Sequence, residues 1–364
     1  MNAPVDDQRL LTPEDRSPSP AAVTGRRSIA GRSIAVLAAV GLAALIVVNR
    51  SDLVASGRAV RHAARLWLLV ALLLTVLWSA VHASMHAAAQ RAAGVDATTA
   101  HLWIVSSAGT FLNHVAKSLG VAGLMIFLVD ARHRAAPRGR VAAAYLLVVV
   151  TGELTFALTL VVAVVVLAVD RHLPRAELVA ASVFGGYLVL RLGAIGAALR
   201  SREALGQLWQ RWQRGRQARS ADADGSSMSV ADDLYDTVHG LARSGRSLVT
   251  TGAHALAIEL LGAGILWASL AAVHVHVGPL AVFAAFVASV LFSFVGFVPG
   301  GLGLVELSMV RVLTSFGAPK VPAVAAVVIY RLLDLWLPVL VGAFTARHVR
   351  RVRQLAMAVG PGDA

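Results

Sequence analysis

The sequence predicts an all-α protein: a polytopic transmembrane helical bundle with two broken, re-entrant hairpins arranged as an inverted repeat. Three observations predict it. The 364-residue chain is 57% hydrophobic and 15% charged, whereas a soluble domain carries about 25% charged residues. Its apolar residues fall in blocks long enough to cross a bilayer, which takes about 20 residues as a helix. Two of those blocks are interrupted by residues that lipid does not accept, Asn113 to Ser118 in one and Pro299 to Gly301 in the other.

Composition also excludes several functions. The chain has no cysteine, so disulfides, thiolate catalysis and cysteine-ligated zinc or iron–sulfur sites are ruled out. The net charge is +13, with Lys117 and Lys320 the only lysines. The arginines lie mainly in short loops between apolar blocks, which is the positive-inside pattern of a membrane protein rather than a nucleic-acid footprint. No nucleic-acid partner and no cofactor are expected. His82 and His86 share a helix face without a third ligand, so no metal site is expected either. His274 and His276 alternate in a turn and read as solvated.

In chain order, residues 1–32 are polar and carry Pro4, Pro13, Pro18 and Pro20. They read as a disordered cytoplasmic tail, and no cleavable signal peptide is expected. Apolar segments follow at 33–48, 66–89, 102–130, 141–169 and 177–199, making a first membrane half over 33–199. A cytoplasmic amphipathic loop spans 200–247. In it Leu205, Leu208, Trp209 and Trp212 share one helical face, and Arg202, Arg211, Arg214 and Arg216 the other, as in a helix lying in the headgroup layer. A polar linker (218–229) leads to a second helix with Val230, Leu234, Val238 and Leu241 inward and Ser229 as its N-cap. The second membrane half, 248–346, holds segments 248–275, 279–298, 303–316 and 321–346. A basic cytoplasmic tail, 347–364, closes the chain with Arg347, Arg350, Arg351 and Arg353.

Topology follows from the basic residues. The N-terminal tail (Arg26, Arg27, Arg32), the 131–140 loop (Arg132, Arg134, Arg138, Arg140), the 200–247 loop and the C-terminal tail all belong in the cytoplasm. They share that side only if each broken segment enters and leaves the membrane on one face. The loop 49–65, with Arg50, Arg58, Arg61 and Arg65 outside, is the exception. Each half then reads helix, helix, broken hairpin, helix, starting from opposite sides, which is the inverted repeat of many secondary transporters. A local echo agrees: "AKSLGVAGL" (116–124) aligns with "PGGLGLVEL" (299–307) at Leu119/Leu302, Gly120/Gly303 and Leu124/Leu307.

The stretch "FVGFVPGGLGLVELSMVRV" (294–312) concentrates the chemistry. Pro299 pushes Val298 out of helix, and Gly300, Gly301 and Gly303 let the backbone turn or pass close to a neighbour. A helix restarting near Gly303 puts Glu306 in its first turn, where a carboxylate suits the dipole. Unpaired N–H groups at such a start form an anion site. The alternative is a tight packing turn. Elsewhere, Glu153, Glu259 and Asp334 sit near the middle of apolar segments, where charges are functional candidates unless they are structural ion pairs. Arg331 and Asp334 can pair at i,i+3, and Arg191 or Lys117 can offset Glu153 or Glu259.

The run Pro299, Gly300, Gly301, Gly303, Glu306, followed by Tyr330, Arg331, Trp336 and Pro338, resembles the membrane domain of the lysylphosphatidylglycerol synthetase and flippase-like family. Its hallmark is a Pro-Gly-Gly-x-Gly-x-x-Glu run, then a Tyr-Arg and a Trp-x-Pro in the last helix. The first half departs from the pattern: it keeps Asn113 and Gly120, has Lys117 at the break, and lacks the matching glutamate and arginine. Glu153 lacks the arginine that often follows it. Residues 347–364 are too few for the soluble aminoacyl-transferase domain of bifunctional members, so the resemblance implies lipid handling without lipid aminoacylation.

The expectation is therefore a non-enzymatic protein of the cytoplasmic membrane, both termini inside, that binds and flips a lipid or lipid-linked molecule. Its headgroup would approach Gly300–Glu306. Arg311 and Arg331 would supply positive charge there, while Glu306 and Asp334 orient those arginines or relay protons. The N–H groups and arginines favour an anionic headgroup; the three central carboxylates favour a zwitterionic or cationic one. Two alternatives stand beside it: a non-transporting membrane partner of a glycosyltransferase or lipid-synthesis enzyme, and a membrane-embedded lipid-modifying enzyme.

Overall fold

The computed structural model describes residues 60–115, 120–169, 175–198, 224–295 and 301–345, with isolated positions 58, 200, 203 and 206. The tails 1–32 and 347–364, the segment 33–48 and the amphipathic face at 202–216 lie outside the described residues, as do Lys117, Pro299 and Gly300.

The described chain is helical: α1 (Arg65–Ala92), α2 (Thr99–Val115), α3 (Val121–His133), α4 (Arg138–Val169), α5 (Arg175–Ala198), α6 (Asp224–Arg243), α7 (Gly245–Ala272), α8 (Pro279–Val295), α9 (Leu304–Ser315) and α10 (Lys320–Arg331). The last helix continues to Thr345 through a wide π turn at Leu332–Trp336. Five helical runs are long and apolar enough to cross a membrane: Arg65–Ala92, Arg138–Val165, Leu178–Ala197, Gly245–Ala272 and Lys320–Thr345. Their outer faces carry large apolar side chains such as Val189, Leu190 and Phe344, each more than 70% exposed. Such a continuous oily surface is stable against lipid and not against water. The protein is a multi-pass membrane protein.

An inverted repeat is written into the helix lengths and their ends. Helices α1 and α7 each have 28 residues, and α2 and α8 each have 17. The turns closing α1 and α7 have the same hydrogen bonds, Val95 N to Gln90 O at 2.9 Å and Val275 N to Leu270 O at 3.0 Å. Both place a residue in the left-handed region, Gly94 and His274. The ends of α3 and α9 repeat this pattern with Ala135 and Gly317. The restarts match as well: Gly120 (φ 88°) precedes α3 and Gly303 (φ 87°) precedes α9. An L side chain strains at such angles, so glycine is the residue that lets each helix restart. This equates the two glycines that the sequence echo aligned.

The equivalent helices α1 and α7 run antiparallel. The N–H of Ala64, just before α1, donates to the carbonyl of Ala272, the last residue of α7, at 2.8 Å. Ten residues into α1, Leu74 lies against Gly264 of α7. Equivalent helices that point in opposite directions require a two-fold axis across them, which is an inverted repeat.

Each hairpin doubles back. Asn113 of α2 bonds to Gly123 of α3 near the break, and at the far end His101 Nε2 meets Asp130 Oδ1 at 2.8 Å. Arg134 then ties this open end to α1, donating to Asp130 Oδ2 (2.9 Å), the Asp96 carbonyl (2.9 Å) and Gln90 Oε1 (3.2 Å). In the second hairpin Gly301 is folded against α8. An added Cβ there would stand 3.1 Å from Ser293 Cα and 2.6 Å from Val305 Cγ2.

One expectation needs correction. Ser229 does not cap the helix after the amphipathic loop: α6 begins at Asp224, and residues 224–229 are helical rather than linker. An aspartate at the positive end of the dipole and no proline or glycine run to stop it allow the earlier start. Of the expected inward face Leu234 and Leu241 are buried and Val230 and Val238 half-buried, with Ala231 buried beside them. α6 lies across the start of α4 in near-backbone contact. A Cβ on Gly139 would be 2.5 Å from both Val230 O and Asp233 Cβ.

The π turn has a local cause. Pro338 cannot donate to the carbonyl four residues back, and its ring displaces that carbonyl. Widening the preceding turn absorbs the mismatch. The consequence is functional, because the widened turn contains Asp334 and begins one residue after Arg331.

Candidate functional site

A cavity of about 660 Å³ lies where the two halves meet. It is lined by His82 and His86 of α1, Asn113 and His114 of α2, Glu153 of α4, Tyr187 and Arg191 of α5, Glu259 of α7, Ser289 and Ser293 of α8, and Arg331 and Asp334 at the π turn. The helices are apolar outside and polar here. That partition is how membrane helices keep ionisable groups out of lipid, where each costs about 2.5–3.5 kcal/mol at the helix centre on insertion scales.

The second break borders this cavity through an ion pair. Glu306 sits in the first turn of α9 and reaches back, so that its Oε2 accepts the Gly303 N–H at 2.6 Å. This satisfies a donor that the helix start leaves open. Its Oε1 accepts from Arg331 Nε at 2.7 Å. Arg331 is 6% exposed, so its charge needs this partner. Asp334 Oδ2 stands 3.8 Å from Arg331 Nη1, close enough for attraction but beyond a hydrogen bond. The i,i+3 pairing read from sequence is present, and Glu306 is the nearer partner.

The first break is closed by neutral groups. Asn113 Oδ1 accepts the Gly123 N–H at 2.7 Å, and Asn113 Nδ2 donates to the Tyr145 hydroxyl at 3.3 Å. That hydroxyl donates in turn to the Gly120 carbonyl at 2.8 Å. In both halves, then, the long helix after the hairpin supplies the side chain that secures the break: Tyr145 from α4 and Arg331 from α10.

A third cluster joins α4 to α5. Arg191 Nη1 meets Glu153 Oε1 at 2.8 Å. The Tyr187 hydroxyl donates to the same oxygen at 3.2 Å and accepts from Arg191. Spacing of i,i+4 on α5 puts Tyr187 and Arg191 on one face. Arg191, one of the two counter-charges the sequence offered for Glu153, is in contact with it; the other, Lys117, lies outside the described residues. Among the described residues the buried atoms Glu153 Oε2 and Glu259 Oε2 have no hydrogen-bond partner.

The remaining sequence candidates divide clearly. Asn113, Glu153, Glu259, Arg331 and Asp334 line the cavity; Gly301, Gly303 and Glu306 form the restart beside it. Tyr330 is 1% exposed, its ring in the core and its hydroxyl bonded to Ser289 and Asp334, which line the cavity. Arg311 is exposed on α9 and does not line the cavity. It follows Glu306 by five residues, about 140° round a helix of 3.6 residues per turn, so the two face different ways.

Sequence reasoning missed an aromatic wall. His82 stacks on Trp78 with ring centroids 5.4 Å apart and meets His86 edge-on at 5.0 Å. His86 stacks on Phe127 at 4.6 Å. The available signal was the i,i+4 run Trp78, His82, His86, which puts three polar-tipped rings on one face of an apolar helix. Among the described residues no group of three or more His, Asp or Glu side chains is placed to hold a metal.

Compared with known families, the chain matches the lysylphosphatidylglycerol synthase TM region over residues 32–342. No curated protein matches it. The match takes in every described helix that lines the cavity, together with both breaks. The chain belongs to the lysylphosphatidylglycerol synthase transmembrane-region family.

Proposed function

We propose that the protein carries a lipid, or a lipid-linked molecule, from one leaflet of the cytoplasmic membrane to the other, its headgroup passing through the central cavity. The observation that carries this reading is the cavity itself: it gathers ionisable side chains between helices whose outer faces are oily. A headgroup crossing there exchanges water for fixed hydrogen-bonding groups, while the hydrocarbon part stays in lipid. The inverted repeat supports the same reading, since antiparallel halves that rock about a central site are a recurrent way to expose it to alternate sides.

The charge inventory bears on the headgroup. Among the described residues Arg191 and Arg331 line the cavity with Glu153, Glu259 and Asp334, each arginine beside a carboxylate. The surplus carboxylate favours a headgroup with at least one donor or positive group over a purely anionic one. The basic 131–140 loop supports a cytoplasmic placement for the open end of the first hairpin, with both termini on that side.

The test is reconstitution of the purified protein in phospholipid vesicles, following leaflet exchange of head-labelled lipids by quenching from outside. Exchange above protein-free vesicles for at least one headgroup class is the expected result. If every class fails and the protein co-purifies with a glycosyltransferase or lipid synthase, it is a non-transporting partner instead. Substrate-dependent covalent change of a lipid would make it an enzyme.

A further inference from the structure

A second cavity, of about 880 Å³, lies beside the first between α3, α4 and α5. Its walls are almost wholly apolar, with Val121, Leu124, Leu146, Val149, Leu190 and Ile195 among them. It is continuous in lining with the polar cavity, because Gly120, Tyr145, Tyr187 and Arg191 border both. Hydrocarbon walls on one side and an ionisable chamber on the other, meeting at one row of polar side chains, match the two ends of an amphiphile.

One position of helix α5 agrees with this. Gly186 borders the apolar groove, and among the described residues a Cβ built on it would meet nothing within 4 Å. A glycine costs a helix about 1 kcal/mol relative to alanine. Close packing usually offsets that cost, as at Gly262, where a Cβ would stand 2.5 Å from the Phe286 ring. At Gly186 no described residue is that close, and the missing side chain leaves room in the groove.

We propose that the groove between α3, α4 and α5 is the lateral door of the protein: the acyl chains of the transported phospholipid lie in it while the headgroup passes Tyr187 and Arg191 into the central cavity. The inference rests on the proposed transport and fixes where the lipid enters. The polar row is built for a headgroup to exchange partners. Arg191 is held by Glu153 Oε1 and Tyr187, and all three residues line the polar cavity. An arriving phosphate can take hydrogen bonds from Arg191 in exchange for those it gives to Glu153 and Tyr187.

The test is a pair of adjacent substitutions. Gly186→Trp puts a ring into the groove. Gly185→Trp puts the same ring about 100° away on the helix, at a position that borders neither cavity and has equal room. In vesicles of the full-length protein, Gly186→Trp is expected to slow exchange of a head-labelled phospholipid roughly tenfold or more and Gly185→Trp by less than about twofold, tenfold being the response to a barrier raised by about 1.4 kcal/mol. Equal effects from the two overturn the door. Gly186→Leu repeats the comparison with a smaller plug if the tryptophan variant is not recovered folded.

A second readout separates this inference from transport itself. A phospholipid with a photoreactive acyl chain, retained through purification in detergent, should crosslink to Leu124, Leu146 or Val149 in the wild type and in Gly185→Trp, but not in Gly186→Trp. Exchange without groove crosslinks would leave transport standing and remove the door. Groove crosslinks without exchange would remove transport and leave a lipid-binding groove.

Discussion

Glu306→Ala tests the physical account of the second break most directly. The wild-type carboxylate makes two contacts at once, 2.6 Å to the Gly303 N–H and 2.7 Å to Arg331 Nε. Its removal strips a near-buried guanidinium of its closest counter-charge, a loss of about 3–5 kcal/mol when a buried pair is broken from one side. It also opens a helix-start donor, worth about 1 kcal/mol. Two features reduce the sum: the Glu306 side chain is 27% exposed, and Asp334 remains 3.8 Å from Arg331. A net loss of about 2–3 kcal/mol follows for a partly screened pair. The assay is reversible unfolding in mixed micelles, read by the fluorescence of the seven tryptophans. Arg331→Met in the same background completes a double-mutant cycle, with an expected coupling of at least about 1 kcal/mol. A single-variant loss under about 0.5 kcal/mol, or additivity within that margin, would show that the pair is solvated and does not hold the break.

Four further outcomes are expected. Asn113→Ala removes one acceptor and one donor at the first break, and should cost about 1–3 kcal/mol in the same unfolding assay; a silent Asn113→Ala would mean the first restart holds itself. Glu259→Gln keeps the shape of a side chain whose Oε2 has no partner, so stability should stay within about 1 kcal/mol of wild type or rise. Its vesicle exchange should fall, and unchanged exchange would remove Glu259 from the pathway. Gly342→Leu drives a side chain into the Ser107 carbonyl and Phe111, both nearer to a built Cβ than any real contact; a loss of about 1–3 kcal/mol or more is expected from overpacking, visible as reduced yield of monodisperse protein. In the cysteine-free chain, Thr98→Cys and His133→Cys should react with an impermeant thiol reagent from one side of the membrane, and His276→Cys and Lys320→Cys from the other. Labelling of all four from one side would refute the inverted repeat.

The membrane architecture was legible because it is written in length and hydropathy, which need no partner to be read. The breaks were legible for a related reason: Asn113 and the glycines before Glu306 have no place in a continuous lipid-facing helix. Tyr330 and Arg331, adjacent in sequence, show where that reading stops. Tyr330 reaches the site only through its hydroxyl while Arg331 lines the cavity, and only the packing of α10 decides this. Arg311 lies away from the cavity because a charge near a motif is not thereby on its face. Tyr145 escaped because its partners lie more than twenty residues away, and Tyr187 and the Trp78–His82–His86 wall because i,i+4 spacing puts side chains on one face without saying which face meets the cavity. The helical start of α6 at Asp224 escaped because a polar stretch holding Gly225 and three serines reads as linker.

The bond from Ala64 to Ala272 has a mechanical meaning. It stitches the start of α1 to the end of α7. At the opposite end of that seam the two-fold would put a matching stitch from Ser244 to Ala92. There Ser244 instead gives its N–H to Gly240 and Leu241, and uses its hydroxyl to cap its own helix through Ser247 N. Among the described residues the seam is thus joined by a backbone bond at one end only, and the other end is the one where the basic 131–140 loop and α6 gather.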